Sequence, residues 1–146
     1  MIKNYTSTVP IEKSINHIES KLVAHGAKDI MKRYGPEGKL ESICFIILLN
    51  GNSMSFKLPA KIGACYEVLL KSRVNKISKE SRNKIMEQAA RTAWKIVSDW
   101  VDIEMSMIEL QQKEFLEVFL SYVYDPRNQQ TFYESLKESK FLALTK

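Results

Sequence analysis

The pattern that most constrains this chain is an unbroken helical repeat starting near Ser81. Ile85, Ala89, Thr92, Ile96, Trp100, Ile103, Met107 and Leu110 recur at steps of three and four, with no Gly or Pro to interrupt them. A helix of about 30 residues spans on the order of 45 Å. In a chain of 146 residues, an element of that length is either the spine of the fold or a pairing surface between two copies. A chain of this size suits one domain better than two, so a single domain over 1–146 is expected.

Charge reverses along the same stretch. Lys57 to Lys95 holds ten Lys or Arg against three Glu, whereas Val97 to Asp125 holds seven Asp or Glu against one Lys. The net charge of +5 therefore divides into +2 before Lys57, +7 from Lys57 through Ile96, and −4 beyond. Such a split defines a face for polyanions, a surface for a protein partner, or a basis for self-association.

Ahead of the long helix the period changes several times. A first helix is expected from Pro10 to His25, with Thr8 as N-cap, Ile11, Ile15, Ile18 and Leu22 as its apolar stripe, and Gly26 as its left-handed stop. Ala27 to Tyr34 reads as a short strand, and Gly35-Pro36-Glu37-Gly38 as a turn. Leu40 to Leu49 and Ser53 to Leu58 are two further strands. Asn50-Gly51 between them suits a type I′ hairpin, because both of its central positions need positive φ. The result is a three-stranded antiparallel meander. Its middle strand is apolar on both faces, with Ile43, Phe45, Ile47 and Leu49 on one and Cys44, Ile46 and Leu48 on the other. Large apolar faces seldom stay wet, so either helices cover both sides or a second subunit does.

Pro59 is expected to open a helix running to Lys71, with Ile62, Tyr66, Leu69 and Leu70 inward. After the long helix, Phe115 to Leu120 is apolar nearly all round and predicts a buried helix, which Asp125-Pro126 ends. A last helix, Thr131 to Lys140, is expected to dock through Phe132, Leu136 and Phe141. The expected fold class is α+β: an N-terminal helix, the meander, then a mainly helical C-terminal half.

Composition excludes several classes. Hydrophobic residues make up 45% and charged residues 27% of the chain, with five Gly and four Pro, which suits an ordered fold. The amino terminus lacks the apolar core of a secretory signal. The longest apolar run, Ile43 to Leu49, has seven residues against the roughly 20 that a spanning helix needs. No membrane partner is expected, and a cytoplasmic location is. Cys44 and Cys65 form no close pair of the zinc or redox kind and read as buried thiols.

Catalytic signatures are lacking. His17 and His25 lie eight residues apart without a cysteine companion. Asp99, Asp102, Glu104 and Glu109 carry no HExxH or ExxH pattern, and there is no P-loop, GxGxxG or GxSxG. No enzyme activity, metal or cofactor is expected. The C-terminal aromatics lack interleaved Lys or Arg and read as core rather than as base-stacking platforms. The strongest chemical signal is the basic block of Lys71, Arg73, Lys76, Lys79, Arg82, Lys84, Arg91 and Lys95. It could hold phosphates of DNA or RNA from one side, positioning rather than reading sequence. A solvated basic face is the plain alternative.

Several stretches resemble a family of small phage and prophage proteins with no established activity. They are Tyr5-Thr6-Ser7-Thr8-Val9-Pro10 followed by Ile18-Glu19, His25-Gly26-Ala27, Phe56-Lys57-Leu58-Pro59, and above all Arg91 through Val101 with Phe115 through Leu120. The resemblance runs from Tyr5 to about Phe141. It implies a phage-related origin, with a low-GC bacterial host suggested by the Lys, Ile and Asn usage, and it supplies no site residues. Two functions follow as expectations. One is a nucleic-acid-associated accessory protein acting through the basic block. The other is a factor that binds a host protein, such as a defence or transcription complex, through Asp99, Asp102 and Glu109 or the sheet. Homo-oligomerisation is open in both.

Overall fold

The computed structural model describes residues 1–73 and 78–146 and shows an α+β chain. It divides into two compact units, each built from two segments: Met1–Leu22 with Ala60–Ile103, and Val23–Pro59 with Glu104–Lys146.

The first unit is helical and takes in the longest helix as far as Ile103, its last residues belonging to the second unit. Helix α1 (Ile11–Ala24) buries Ser14, Ile15, Ile18 and Leu22 at steps of three and four. Helix α2 (Ile62–Lys71) buries Cys65 and Leu69. It starts later than Pro59, because Pro59 is still paired with Ser42 in the sheet. Helix α3 (Lys79–Glu109) is a continuous element of 31 residues, long enough to span about 46 Å. Ser78 caps it by accepting from the Ser81 N–H at 3.1 Å. At its far end Gln111, at φ +60°, closes a Schellman turn: its own N–H bonds Ile108 and that of Gln112 bonds Met107.

The buried side of α3 differs from the apolar stripe expected for it. Ile85, Ala89 and Thr92 are buried, but Ile103 is 60% and Leu110 67% exposed. The buried line passes instead through Ala93, Trp94, Ser98, Val101 and Met105. Small residues, Ala89, Ala90, Ala93 and Ser98, supply much of it. Hydropathy gives little weight to such residues, although they let neighbouring backbone approach closely.

The second unit is built on the meander β1 (Ala27–Tyr34), β2 (Leu40–Leu49) and β3 (Asn52–Pro59), in spatial order β1-β2-β3. Asn50 and Gly51 have φ +50° and +82°, as a type I′ turn requires. Ile43, Phe45 and Ile47 lie opposite Leu58, Phe56 and Met54 on one face. There Phe45 and Phe56 stack at 5.1 Å. Helix α4 (Phe115–Phe119) stacks Phe115 on Phe119 at 4.6 Å, and the two pairs meet edge to face at 5.7 to 6.5 Å. The opposite face is only partly covered: Cys44 is buried, while Met31 and Leu48 stand 54% and 48% exposed. Full burial of both faces, expected from the sequence, is thus not reached within the chain.

The C-terminal region departs furthest from expectation. Of α4 only Phe119 is buried, and the chain continues as a 3-10 turn (Leu120–Tyr122) rather than a longer buried helix. Beyond it, Val123 bridges to Phe56. Tyr124–Asp125 (β4) and Gln130–Thr131 (β5) then form a small hairpin where the sequence predicts only a helix break. Helix α5 (Phe132–Glu138) is fixed by a capping box in which Thr131 and Glu134 each accept from the other's backbone N–H. It buries no residue: Phe132 is 42% and Tyr133 50% exposed.

Candidate nucleic-acid interface

The basic block separates into three groups. Lys71 ends α2, Arg73 follows it, and Lys79, Arg82 and Lys84 occupy the first turns of α3; all five are exposed. Among the described residues none of these five makes an ion pair. At 100° per residue Lys79 and Arg82 lie within about 60° of each other, and Lys84 about 140° round from Lys79. Lys76 lies outside the described residues.

Arg91 and Lys95 belong to the fold instead. Arg91 Nε donates to the Ser7 carbonyl at 3.3 Å, and an Arg91 Nη donates to Gln88 Oε1 at 2.7 Å. Lys95 Nζ bonds Asp99 Oδ1 at 2.6 Å. These contacts form part of a seam on one face of α3, where Gln88, Arg91, Thr92, Lys95 and Asp99 receive the N-terminal segment. Gln88 donates to Ser7 O at 3.0 Å, Thr92 Oγ1 to Asn4 O at 2.9 Å, and Asn4 Nδ2 to Asp99 Oδ2 at 2.8 Å.

The acidic residues are occupied in the same way. Burial pulls the Asp99 carboxyl upward, but the hydrogen bonds from Lys95 and Asn4 and the charges of Lys95 and Lys3 outweigh it. They hold the group below the usual carboxylate range. Asp102 Oδ1 lies 3.3 Å from His17 Nε2 and 3.4 Å from Lys21 Nζ of α1. In the second unit Glu109 Oε1 lies 3.3 Å from His25 Nε2. Both histidines thus face carboxylates. Among the described residues no group of three or more His, Cys, Asp or Glu is placed to hold a metal ion.

Lys79 and Arg82 in the first turn of α3 and Glu109 in its last turn run against the helix dipole, while Glu80 in the first turn accords with it. Cations beside the N-terminal amides and anions beside the C-terminal carbonyls each oppose the favourable arrangement, typically by about 0.3 to 1 kcal/mol per charge at the surface. Helix stability therefore does not explain the reversal. At the N-terminal end Lys79, Arg82 and Lys84 outnumber Glu80 and add to the positive end of the backbone dipole, and what such an end can do is attract anions.

Sequence spacing signals the Lys95–Asp99 pair, an i,i+4 contact. No local signal marks Asn4, Ser7 or Gln88, whose partners lie far along the chain. Tyr124 is likewise unmarked: it is buried under Arg33 and Lys57, whose charges sit 5.3 and 5.5 Å from its ring centroid. Burial raises the Cys65 thiol above its ordinary range, which favours its neutral form.

No family model, curated protein or solved structure matches the chain. Neither the geometry nor these comparisons supplies a positive sign of an enzyme. Among the described residues no helix is long and apolar enough to cross a membrane.

Proposed function

We propose that this chain is a non-enzymatic accessory protein of phage or prophage origin that holds nucleic acid at the start of α3. The supporting observation is the contrast within the basic block: Lys71, Arg73, Lys79, Arg82 and Lys84 are exposed with no ion pair among the described residues, at a helix end that adds its own positive field. Side chains of this kind neutralise phosphates and release counterions, so affinity falls linearly with salt on logarithmic axes. Fluorescence anisotropy with short single- and double-stranded probes tests it. Binding is expected at about 50 mM salt or below. Changing Lys79, Arg82 and Lys84 together to Ala reduces the salt slope by roughly one for each phosphate that is no longer neutralised. Absence of binding at low salt overturns the reading.

A second reading, a factor that binds a host protein, draws support from the exposed Phe132 and Tyr133 of α5 and Leu142 and Leu144 beyond it. Asp99, Asp102 and Glu109, the acidic residues considered for that role, already have partners within the chain.

A further inference from the structure

Strand β1 has a neighbour on one side only. The order β1-β2-β3 leaves its outer edge without a strand partner among the described residues, whereas Val123 meets the outer side of β3. An eight-residue open edge presents a row of N–H and C=O groups that can accept another strand. Asp29 to Arg33 form its regular part, in unbroken register with Ile46 to Ser42; the irregularities fall outside, at Ala27/Asp29 and at Arg33/Tyr34. Along this stretch Asp29, Met31 and Arg33 share one face of the sheet, and Ile30 and Lys32 the other.

We propose that this edge pairs antiparallel with the same edge of a second copy about a twofold axis through Met31, joining two three-stranded sheets into one of six strands. The charge pattern selects both occupant and register. A twofold axis perpendicular to the sheet keeps each face on its own side, so only residues of like parity can stand opposite one another. Centring on Asp29, Lys32 or Arg33 sets that charge against its own copy, and centring on Ile30 sets Asp29 against Met31 twice, with no pair of opposite charges. Centring on Met31 places Asp29 opposite Arg33 of the second copy, and the reverse, with Ile30 opposite Lys32 and Met31 opposite itself. Opposite charges across strands stabilise and like charges destabilise. In the single chain the Arg33 guanidinium rests over Tyr124 on the β3 side of the sheet, so pairing requires it to turn back toward its own strand edge. Met31, more than half exposed in the single chain, is covered in the pair.

Sedimentation equilibrium tests this directly. The native chain forms a dimer whose population rises with concentration. Asp29→Arg weakens it at least tenfold by opposing guanidinium groups across the axis, and Arg33→Asp does the same with carboxylates. An equimolar mixture of the two variants restores association as a heterodimer, because both cross-strand pairs then join a guanidinium of the first variant to a carboxylate of the second. Met31→Cys gives a second readout that does not depend on charge. Opposed Cα atoms about 4.5 to 5.5 Å apart lie within disulfide range, so oxidised glutathione links the two copies in this variant and not in the native chain, whose cysteines are buried. A native chain that stays monomeric overturns the proposal, as does a dimer indifferent to Asp29→Arg or a Met31→Cys variant that does not cross-link.

Discussion

The two ends of α3 carry opposite charge and use it differently. At the basic end, Lys79, Arg82 and Lys84 are exposed and make no ion pair among the described residues. Toward the acidic end, Asp99, Asp102 and Glu109 each meet a cation or histidine of the same chain. Lys79 and Arg82 in the first turn and Glu109 in the last oppose the helix dipole, and of these only Glu109 meets a possible counter-charge, His25, among the described residues. The lesson is that equal formal charge does not mean equal availability. Members of a patch counted from sequence can be tied up inside the fold, as Arg91 and Lys95 are.

The largest expected effect removes what both ends share. Trp94 is fully buried on α3 between them, and Trp94→Ala should cost about 3 to 5 kcal/mol in urea unfolding, as large core truncations do. A loss below about 1 kcal/mol would show that the site collapses freely or is not packed. Next comes Asp99→Ala, which removes the acceptor for Asn4 and Lys95. With the side chain 26% exposed, a loss of about 1 to 2 kcal/mol is expected.

Asp99 also gives the contrast a pH signature. Its pKa is lower folded than unfolded, so its contribution is complete above the ordinary carboxylate range and disappears as pH falls through the depressed folded value. Asp99→Asn should therefore flatten the acid limb of the stability profile, and an unchanged limb would remove Asp99 from the explanation. Smaller again is Asp102→Ala: the carboxylate is half exposed, so about 0 to 1 kcal/mol is expected, fading in high salt. A loss that persists in about 1 M salt would mean packing rather than charge.

What is legible in the sequence is local. The Asn50-Gly51 turn needs only its own two residues, Gly26 at φ +102° ends α1 as expected, and the uninterrupted run to Leu110 foretells one long helix. What is hidden depends on distant partners. Thr92 and Ser98 are polar in sequence and buried in the fold. The Arg91 contact reaches back 84 positions to Ser7, and the β4–β5 hairpin is too short for alternation to reveal it. The candidate site is legible in composition and half legible in detail: the block of Lys and Arg is evident and spacing signals the Lys95–Asp99 pair, but the loss of Arg91 depends on where Ser7 lies.

Urea unfolding of two triple variants, measured side by side at neutral pH, tests the contrast most directly. Lys79, Arg82 and Lys84 changed together to Ala should leave stability within about 0.5 kcal/mol or raise it, since cations are removed from a helix N-terminus. Asp99, Asp102 and Glu109 changed together to Ala should lower it by about 1 to 3 kcal/mol. Equal losses from both would contradict the division of α3 into an end that serves the fold and an end left for anions.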